Sequence, residues 1–183
     1  MAGLIGALVR LASIDVPALA EQTARWRSDT EYARLLDNDP VMPITSAQSR
    51  KNNEDESVPD KNFVFMVRAL ADDRIVGFVS LDVNWHDQDA WVGIGIGDHA
   101  DRGKGYGTDA MKLVLCYAFA ELALHRVSLG VWANNERAWR SYQKAGFKIE
   151  GGVRDSGLRD GRRWDDRYMG VLRSEWRALN GNG

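Results

Sequence analysis

A glycine-rich loop set between an apolar strand and an amphipathic helix constrains this 183-residue chain more than any other feature. Ala90–Ile96 mixes Val and Ile with glycine and reads as a strand, while Tyr106–Leu122 reads as a helix. Met111, Val114, Leu115, Ala118 and Leu122 line one side of that helix at the 3.6-residue period. Between the two stands Arg102-Gly103-Lys104-Gly105-Tyr106-Gly107-Thr108. Glycine has no Cβ, so backbone N–H groups there can approach an anion closely. The first turn of the following helix adds unpaired N–H donors and a partial positive charge. With Arg102 and Lys104 beside them, these residues form a pyrophosphate cradle. A P-loop is excluded, because Gly103-Lys104 is followed by Gly105 instead of Ser or Thr. Gly105-x-Gly107-x-x-Ala110 matches a dinucleotide fingerprint in form, so a small nucleotide-binding module stays as an alternative. Against it, Asp98–Lys104 separates strand from glycines, and no acidic residue closes the next strand at Trp132.

The flanking pattern predicts further strands at residues 7–14, Phe63–Leu70, Ile75–Trp85, His125–Trp132, 148–154 and 164–173. Asp15 is placed to cap a helix with Pro17 in its first turn, and 17–37 reads as one or two amphipathic helices. Residues 45–62 are polar throughout and predict a surface loop or solvated helix, with a flap over a substrate as the functional alternative. Asn135–Ala145 is a helix stopped by Gly146. The last two strands meet at the turn Arg159-Asp160-Gly161. Strand runs on both sides of a strand–helix–strand unit predict a mixed sheet with helices packed on it. Length and the absence of an evident linker predict a single domain over 1–183.

Composition narrows the classes. Hydrophobic residues at 44% and charged residues at 27% fit an ordinary globular chain. A net charge of −2 offers no broad footprint for nucleic acid, although Arg154, Arg159, Arg162 and Arg163 make one local basic patch. The lone Cys116 cannot form an internal disulfide; in its apolar run it reads as a packing residue, and the setting reads as cytoplasmic. The apolar start Leu4–Leu11 is too short for a membrane span. His86, His99 and His125 lack ligand spacing, so no metal is expected.

Arg102-x-x-Gly105-x-Gly107 resembles the acetyl-CoA pyrophosphate motif of the GNAT superfamily, and Ala90–Gly97 resembles the strand that precedes it there. Asn135-Glu136-Arg137-Ala138 and Tyr142-x-Lys144-x-Gly146-Phe147 resemble the family's second signature, in the same order and at the usual separation. The first 60 residues match only loosely, and the ribosomal-protein N-terminal and polyamine acetyltransferase branch is the most similar. The resemblance implies an α/β (α+β) fold: a mostly antiparallel mixed sheet of six to seven strands flanked by about four helices. It also implies a splay between the strands at 90–97 and 125–132.

The activity so implied is transfer of an acetyl group from acetyl-CoA, as co-substrate, to a primary amine by direct attack. The acceptor class spans a protein or peptide N-terminus, a polyamine or another small amine. The cofactor-binding set implied is Ile94, Ile96, Arg102, Gly103, Lys104, Gly105, Tyr106, Gly107, Thr108 and Asn135, with Tyr142 as the acid that protonates the leaving thiolate. Trp91 stands where related sequences often carry Glu, which leaves Asp82, His86, Asp98 or a water chain to accept the amine's proton. That substitution motivates the alternative of a non-catalytic acyl-CoA-binding sensor. Trp26, Trp85, Trp91 and Trp164 are candidates for an acceptor pocket, the core or a dimer surface, and Glu54-Asp55-Glu56 for a solvated loop or for attracting a cationic acceptor. No nucleic-acid or membrane partner is expected, and homodimerisation is left open.

Overall fold

The computed structural model describes residues 4–36, 39–56, 60–159 and 161–181. Its strands are β1 (Val9–Ser13), β2 (Asn62–Ala69), β3 (Ile75–Asn84), β4 (Asp89–Ile96), β5 (Arg126–Trp132), β6 (Lys148–Arg159) and β7 (Arg162–Leu172). They form one seven-stranded sheet in the order β1-β2-β3-β4-β5-β7-β6. Every pairing is antiparallel except β4 with β5. Parallel neighbours need a long crossover, and helix α4 (Tyr106–Cys116) supplies it. The other helices are α1 (Val16–Trp26), α2 (Thr30–Leu36), α3 (Ser46–Glu56), α5 (Glu136–Ala145) and α6 (Arg173–Asn180).

Side chains alternate across a strand, so each face of the sheet buries its own cluster. On one face Val79, Leu81, Val92, Leu129 and Val171 pack against Ala110, Met111, Val114 and Leu115 of α4. Trp139 and Tyr142 of α5 and Trp176 of α6 join the same core. The opposite face buries Leu19 and Trp26 of α1, Tyr32 of α2 and Met66 of β2, with Phe78 against them. Gly95 of β4 and Gly97 just after it make room for that second cluster. A Cβ on Gly95 would stand 2.5 Å from the Tyr32 hydroxyl, and one on Gly97 would enter the Trp26 ring. Gly95 and Gly97 thus admit the helices that roof the end of β4.

Asp15 caps α1 as expected, its side chain accepting from Ala18 N at 3.1 Å. Three features differ from the sequence reading. The described residues form six helices: 17–37 takes its two-helix reading as α1 and α2, the polar segment takes its helical reading as α3 against α1, and α6 alone was not anticipated. Only eight residues long, α6 is held by tertiary packing, Trp176 against Phe119 at 5.6 Å. The helix expected to reach Leu122 is α-helical only to Cys116, then widens into a π turn at Tyr117–Glu121. Tyr117, first in that turn, packs edge-on against Phe63 and Phe65 at 5.8 and 5.1 Å. The β6/β7 hairpin is also longer than read, and Asp160 in its turn lies outside the described residues, as do the side chains of Glu54-Asp55-Glu56.

Packing at Gly97 gives a direct test. Gly97→Ala overpacks the Trp26 contact and should cost about 1–3 kcal/mol. Gly151→Ala, where a Cβ meets nothing within 4 Å, should stay within about 0.5 kcal/mol. Urea midpoints of the two variants decide it; equal midpoints overturn the packing account.

Candidate active site

The two central strands do not stay together. β4 pairs with β5 only over Asp89–Trp91 against Arg126–Ser128. From Val92 to Ile96 the β4 edge facing β5 has no strand partner among the described residues. Its peptide groups therefore remain available to a ligand that can lie alongside as a strand would. The opening leads into a cleft of about 330 Å³. Ile94, Gly95 and Ile96 of β4 form one wall, and Arg102, Gly103, Gly105, Gly107 and Thr108 another. Asn135, Ser141 and Tyr142 close the third side from α5, and Tyr32, Leu35 and Leu36 of α2 roof it.

The loop geometry follows from its glycines. Gly103 and Gly105 have φ of 80° and 92°, the left-handed region that side chains other than glycine rarely occupy. Gly105 is the residue before α4, its carbonyl accepting the Asp109 N–H at 3.0 Å. The amides of Tyr106, Gly107 and Thr108 occupy the first helical turn, where no intrahelical acceptor exists. A Cβ at Gly103 would meet nothing within 4 Å, so the loop is open above it.

Ion pairs hold this loop from behind. The Arg102 side chain is only 6% exposed; Nη2 donates to Asp29 Oδ2 and to the Gly97 carbonyl, both at 2.7 Å, and the guanidinium lies over the Tyr32 ring. Burial works against the charge on Asp29, yet the Arg102 hydrogen bond and the Tyr32 and Glu31 N–H groups hold its carboxyl below the usual range. Asp101, 2% exposed, accepts a two-pronged pair from Arg74, with Lys104 Nζ at 3.4 Å. The Arg74 hydrogen bonds chiefly lower its pKa against the cost of burial. At the far end, Asp109 accepts the Leu8 and Val9 N–H groups at 2.7 and 3.0 Å, tying the start of β1 to the helix.

Across the cleft, Asn135 caps α5 by accepting from Ala138 N at 3.2 Å. Thr108 and Ser141 share a hydrogen bond of 2.7 Å that joins α4 to α5. Tyr142 packs against Phe147, and its hydroxyl has no hydrogen-bond partner among the described residues. Burial pushes its pKa up to about 12. Gly146, with φ of 112°, ends α5 two residues after Lys144.

Of the residues singled out in the sequence, Ile94, Ile96, Arg102, Gly103, Gly105, Gly107, Thr108, Asn135 and Tyr142 line this one cleft. Lys104 and Tyr106 are not among its lining residues, and the Arg102 side chain is spent on Asp29 and Gly97. Tyr32, Leu35 and Ser141 do line it, and no local motif marks them. The base candidates disperse: Asp98 is bound to Arg25 at 2.7 Å, His86 is exposed in the β3–β4 turn, and Asp82 lies opposite Trp91. Trp91 is 49% exposed, packing edge-on against Tyr168 at 6.0 Å beside Gly130. Trp26 is core, whereas Trp85 stays exposed. Burial raises the Cys116 thiol, the opposite of what a nucleophile needs. Among the described residues no group of three or more His, Cys, Asp or Glu could hold a metal, and no helix is long and apolar enough to cross a membrane.

A mostly antiparallel sheet split at its parallel pair, with a glycine loop and helix N-terminus at the split, defines an acyl-CoA-dependent acetyltransferase fold. Residues 7–148 match the acetyltransferase (GNAT) domain family, and the chain belongs to that family. It uses acetyl-CoA as donor and moves the acetyl group to an amine. A probable N-acetyltransferase of Bacillus subtilis, YjcK, is 36% identical over 131 residues, 70% of this chain and 68% of that protein. The spermidine N(1)-acetyltransferase of Vibrio cholerae is 30% identical over 107 residues, 58% of this chain and 61% of that one. The crystal structure of spermidine N-acetyltransferase from Vibrio cholerae with CoA and spermine superposes with a TM-score of 0.81 at 20% identity, covering 92% of this chain and 97% of that one.

Asp101→Asn tests the anchoring of the loop. It should cost about 1–2 kcal/mol at pH 7, less than a fully buried pair because Arg74 is 39% exposed. The folded carboxyl is depressed, so its contribution is full above the unfolded value of about 3.9 and is lost as pH falls through the folded one. Wild type and variant should therefore converge in stability under strong acid; a difference that persists unchanged there contradicts the pairing.

Proposed function

We propose that the whole chain is a single-domain N-acetyltransferase in which a primary amine attacks acetyl-CoA directly, with both held in one ternary complex. The observation that carries this reading is the split of β4 from β5 opening onto the Gly103–Thr108 loop. The amides of residues 106–108 and the backbone of Gly103 and Gly105 are the donors suited to the pyrophosphate. The unpaired edge of β4 at Ile94 and Ile96 is suited to the pantetheine arm, and Asn135 has its side-chain N–H₂ left to meet the same arm. A strand N–H there also polarises the thioester oxygen, where negative charge develops during attack. Lys104, half-exposed at the loop's rim, contributes charge, and Tyr106 contributes its N–H. Arg102 acts by holding the loop.

Tyr142 is the proposed acid. Its hydroxyl lines the cleft, lacks a protein acceptor among the described residues and stays protonated, its pKa lying near 12. It therefore carries its proton throughout the physiological pH range and is placed to donate it as charge develops on the departing sulfur. Holding amine and thioester together removes up to roughly 7–11 kcal/mol of the barrier. With no carboxylate at position 91, water accepts the amine's proton. The lone Cys116 supports a cytoplasmic setting, and Ile149, Val153 and Leu158, exposed along the edge strand β6, support a homodimer, to be checked as a doubled mass by light scattering.

Saturating acetyl-CoA at a hundredfold excess over Kd should stabilise the protein by about 2.7 kcal/mol. At about 2–4 °C per kcal/mol, the unfolding midpoint rises by roughly 5–10 °C, with no rise from NAD or ATP. Tyr142→Phe should keep that rise and lose about 10²–10⁴-fold in kcat. A midpoint indifferent to millimolar acetyl-CoA defeats the enzyme reading. Binding without turnover toward any amine would instead favour an acyl-CoA sensor.

A further inference from the structure

On the acetyltransferase reading above, the donor cleft fixes where the acetyl group lies. The glycine loop follows Ile96, so an arm laid along the open edge of β4 runs back from it past Ile96 and Ile94. It ends where pairing with β5 begins at Trp91, which brings the thioester beside Gly93. Ala90, Val92 and Ile94 point into the core under α4. Alternation therefore puts Trp91, Gly93 and Gly95 on the opposite face. Tyr32 and Trp26 cover Gly95 and Gly97 there. Farther along the same face lies a groove of about 740 Å³ lined by Asp82, Trp91 and Ser128 among others. An amine that attacks at Gly93 comes from this side.

Two polar side chains of β3 stand at this level of the sheet. Ser80 is the register partner of Gly93, and Asp82 is that of Trp91. The Ser80 Oγ would lie 3.1 Å from a Cβ at Gly93, so it leans over the space that glycine leaves. Ser80 is half-buried, and its hydroxyl makes no hydrogen bond among the described residues. Asp82 is 61% exposed, with Lys61 Nζ at 3.6 Å. Asp60 and Asp89 also line the groove, and Lys61 is the one cation among its described lining residues. The Trp91 ring turns the other way, over Gly130 of β5 and against Tyr168. It therefore leaves the path from Gly93 to Asp82 open. Diagonal neighbours on an antiparallel pair have their Cβ atoms about 7–8 Å apart. That separation is too long for Asp82 to meet an amine at Gly93 directly, and it suits one bridging water.

We propose that Asp82 receives the proton of the attacking amine through one water seated on the Ser80 hydroxyl. The inference rests on the acetyltransferase reading and names the groups behind the water that first takes that proton. As the amine nitrogen bonds to the acetyl carbon it becomes positively charged and strongly acidic. Its proton passes to the water, and the water gives one of its own to the Asp82 carboxylate. The C–S bond then breaks, and the sulfur takes the proton of Tyr142. Carboxylic acid and phenolate return to their starting forms by exchange with solvent, Asp82 through its exposed side. Ser80 is a positioning residue: it fixes the water between Gly93 and Asp82.

The test measures kcat and KM with acetyl-CoA and spermidine or the peptide Ser-Gly-Gly, whichever the wild type turns over faster. Asp82→Asn should lower kcat by about 10²-fold, the low end of what a positioned proton acceptor contributes. It should keep the KM for acetyl-CoA and the acetyl-CoA-induced rise in unfolding midpoint, which shows the fold and donor cleft intact. Added formate should restore part of the lost rate to Asp82→Ala, because a small carboxylate can enter the space the side chain vacates. Ser80→Ala should lower kcat by less and leave the same KM. Asp89→Asn, an equal change of charge in the same groove, should keep the wild-type kcat. A wild-type kcat in Asp82→Asn, an equal loss in Asp89→Asn, or an Asp82→Ala rate that formate does not raise each overturns the proposal and leaves the acetyltransferase reading standing. A wild type that turns over neither amine removes both.

Discussion

Everything in this molecule depends on the pairing of β4 with β5 and on its early end. Hydrogen bonds between the two run from Asp89 to Trp91 and stop. Had the ladder continued, Ile94 and Ile96 would be sealed into the sheet and no ligand could meet their backbone. The split costs the sheet several internal hydrogen bonds, and unpaired peptide groups are tolerated only where water or a ligand reaches them. The cleft of about 330 Å³ at the opening meets that condition. One core joins the halves: α4 packs on β1, β3 and β4 and against α5, and the same core takes in Leu129 of β5 and Val171 of β7.

The second constraint is electrostatic. A loop built to receive an anion concentrates donors and would drift if nothing held it. Here carboxylates do so from the protein side: Asp29 on Arg102, Asp101 on Arg74 and Lys104, and Asp109 on the amides that open β1. None of these acids lies within the glycine motif's own sequence pattern. The arginine conspicuous in that pattern turns inward, and the backbone donors are left to the ligand. Arg102 thus holds the loop's geometry and leaves the helix terminus and the glycine N–H groups open to the cleft.

Much of the site was legible before any coordinates. The glycine loop, the helix-capping Asn135, the Tyr142–Gly146 helix end and the order of strands each have a local cause in backbone freedom, capping or periodicity. What escaped has a non-local cause. α6 forms where Trp176 meets Phe119, and the π turn that ends the helix after Cys116 starts at Tyr117, which packs on Phe63 and Phe65 of a distant strand. Tyr32, Leu35 and Ser141 enter the cleft by tertiary proximity and carry no signature. Gly95 of β4 and Gly97 just after it make room for Tyr32 and Trp26, which come from distant helices.

Sequence alone determined the kinds of element and the chemistry of the loop, because φ freedom, capping and hydrophobic period act within a few residues. Only the tertiary structure decided where the sheet divides, which way Arg102 points and which carboxylate stands opposite Trp91. Those outcomes depend on residues distant in the chain, such as Asp29 and Arg102, being brought to one place. A strand's neighbours and a side chain's partners are properties of the packed molecule, and no local pattern encodes them.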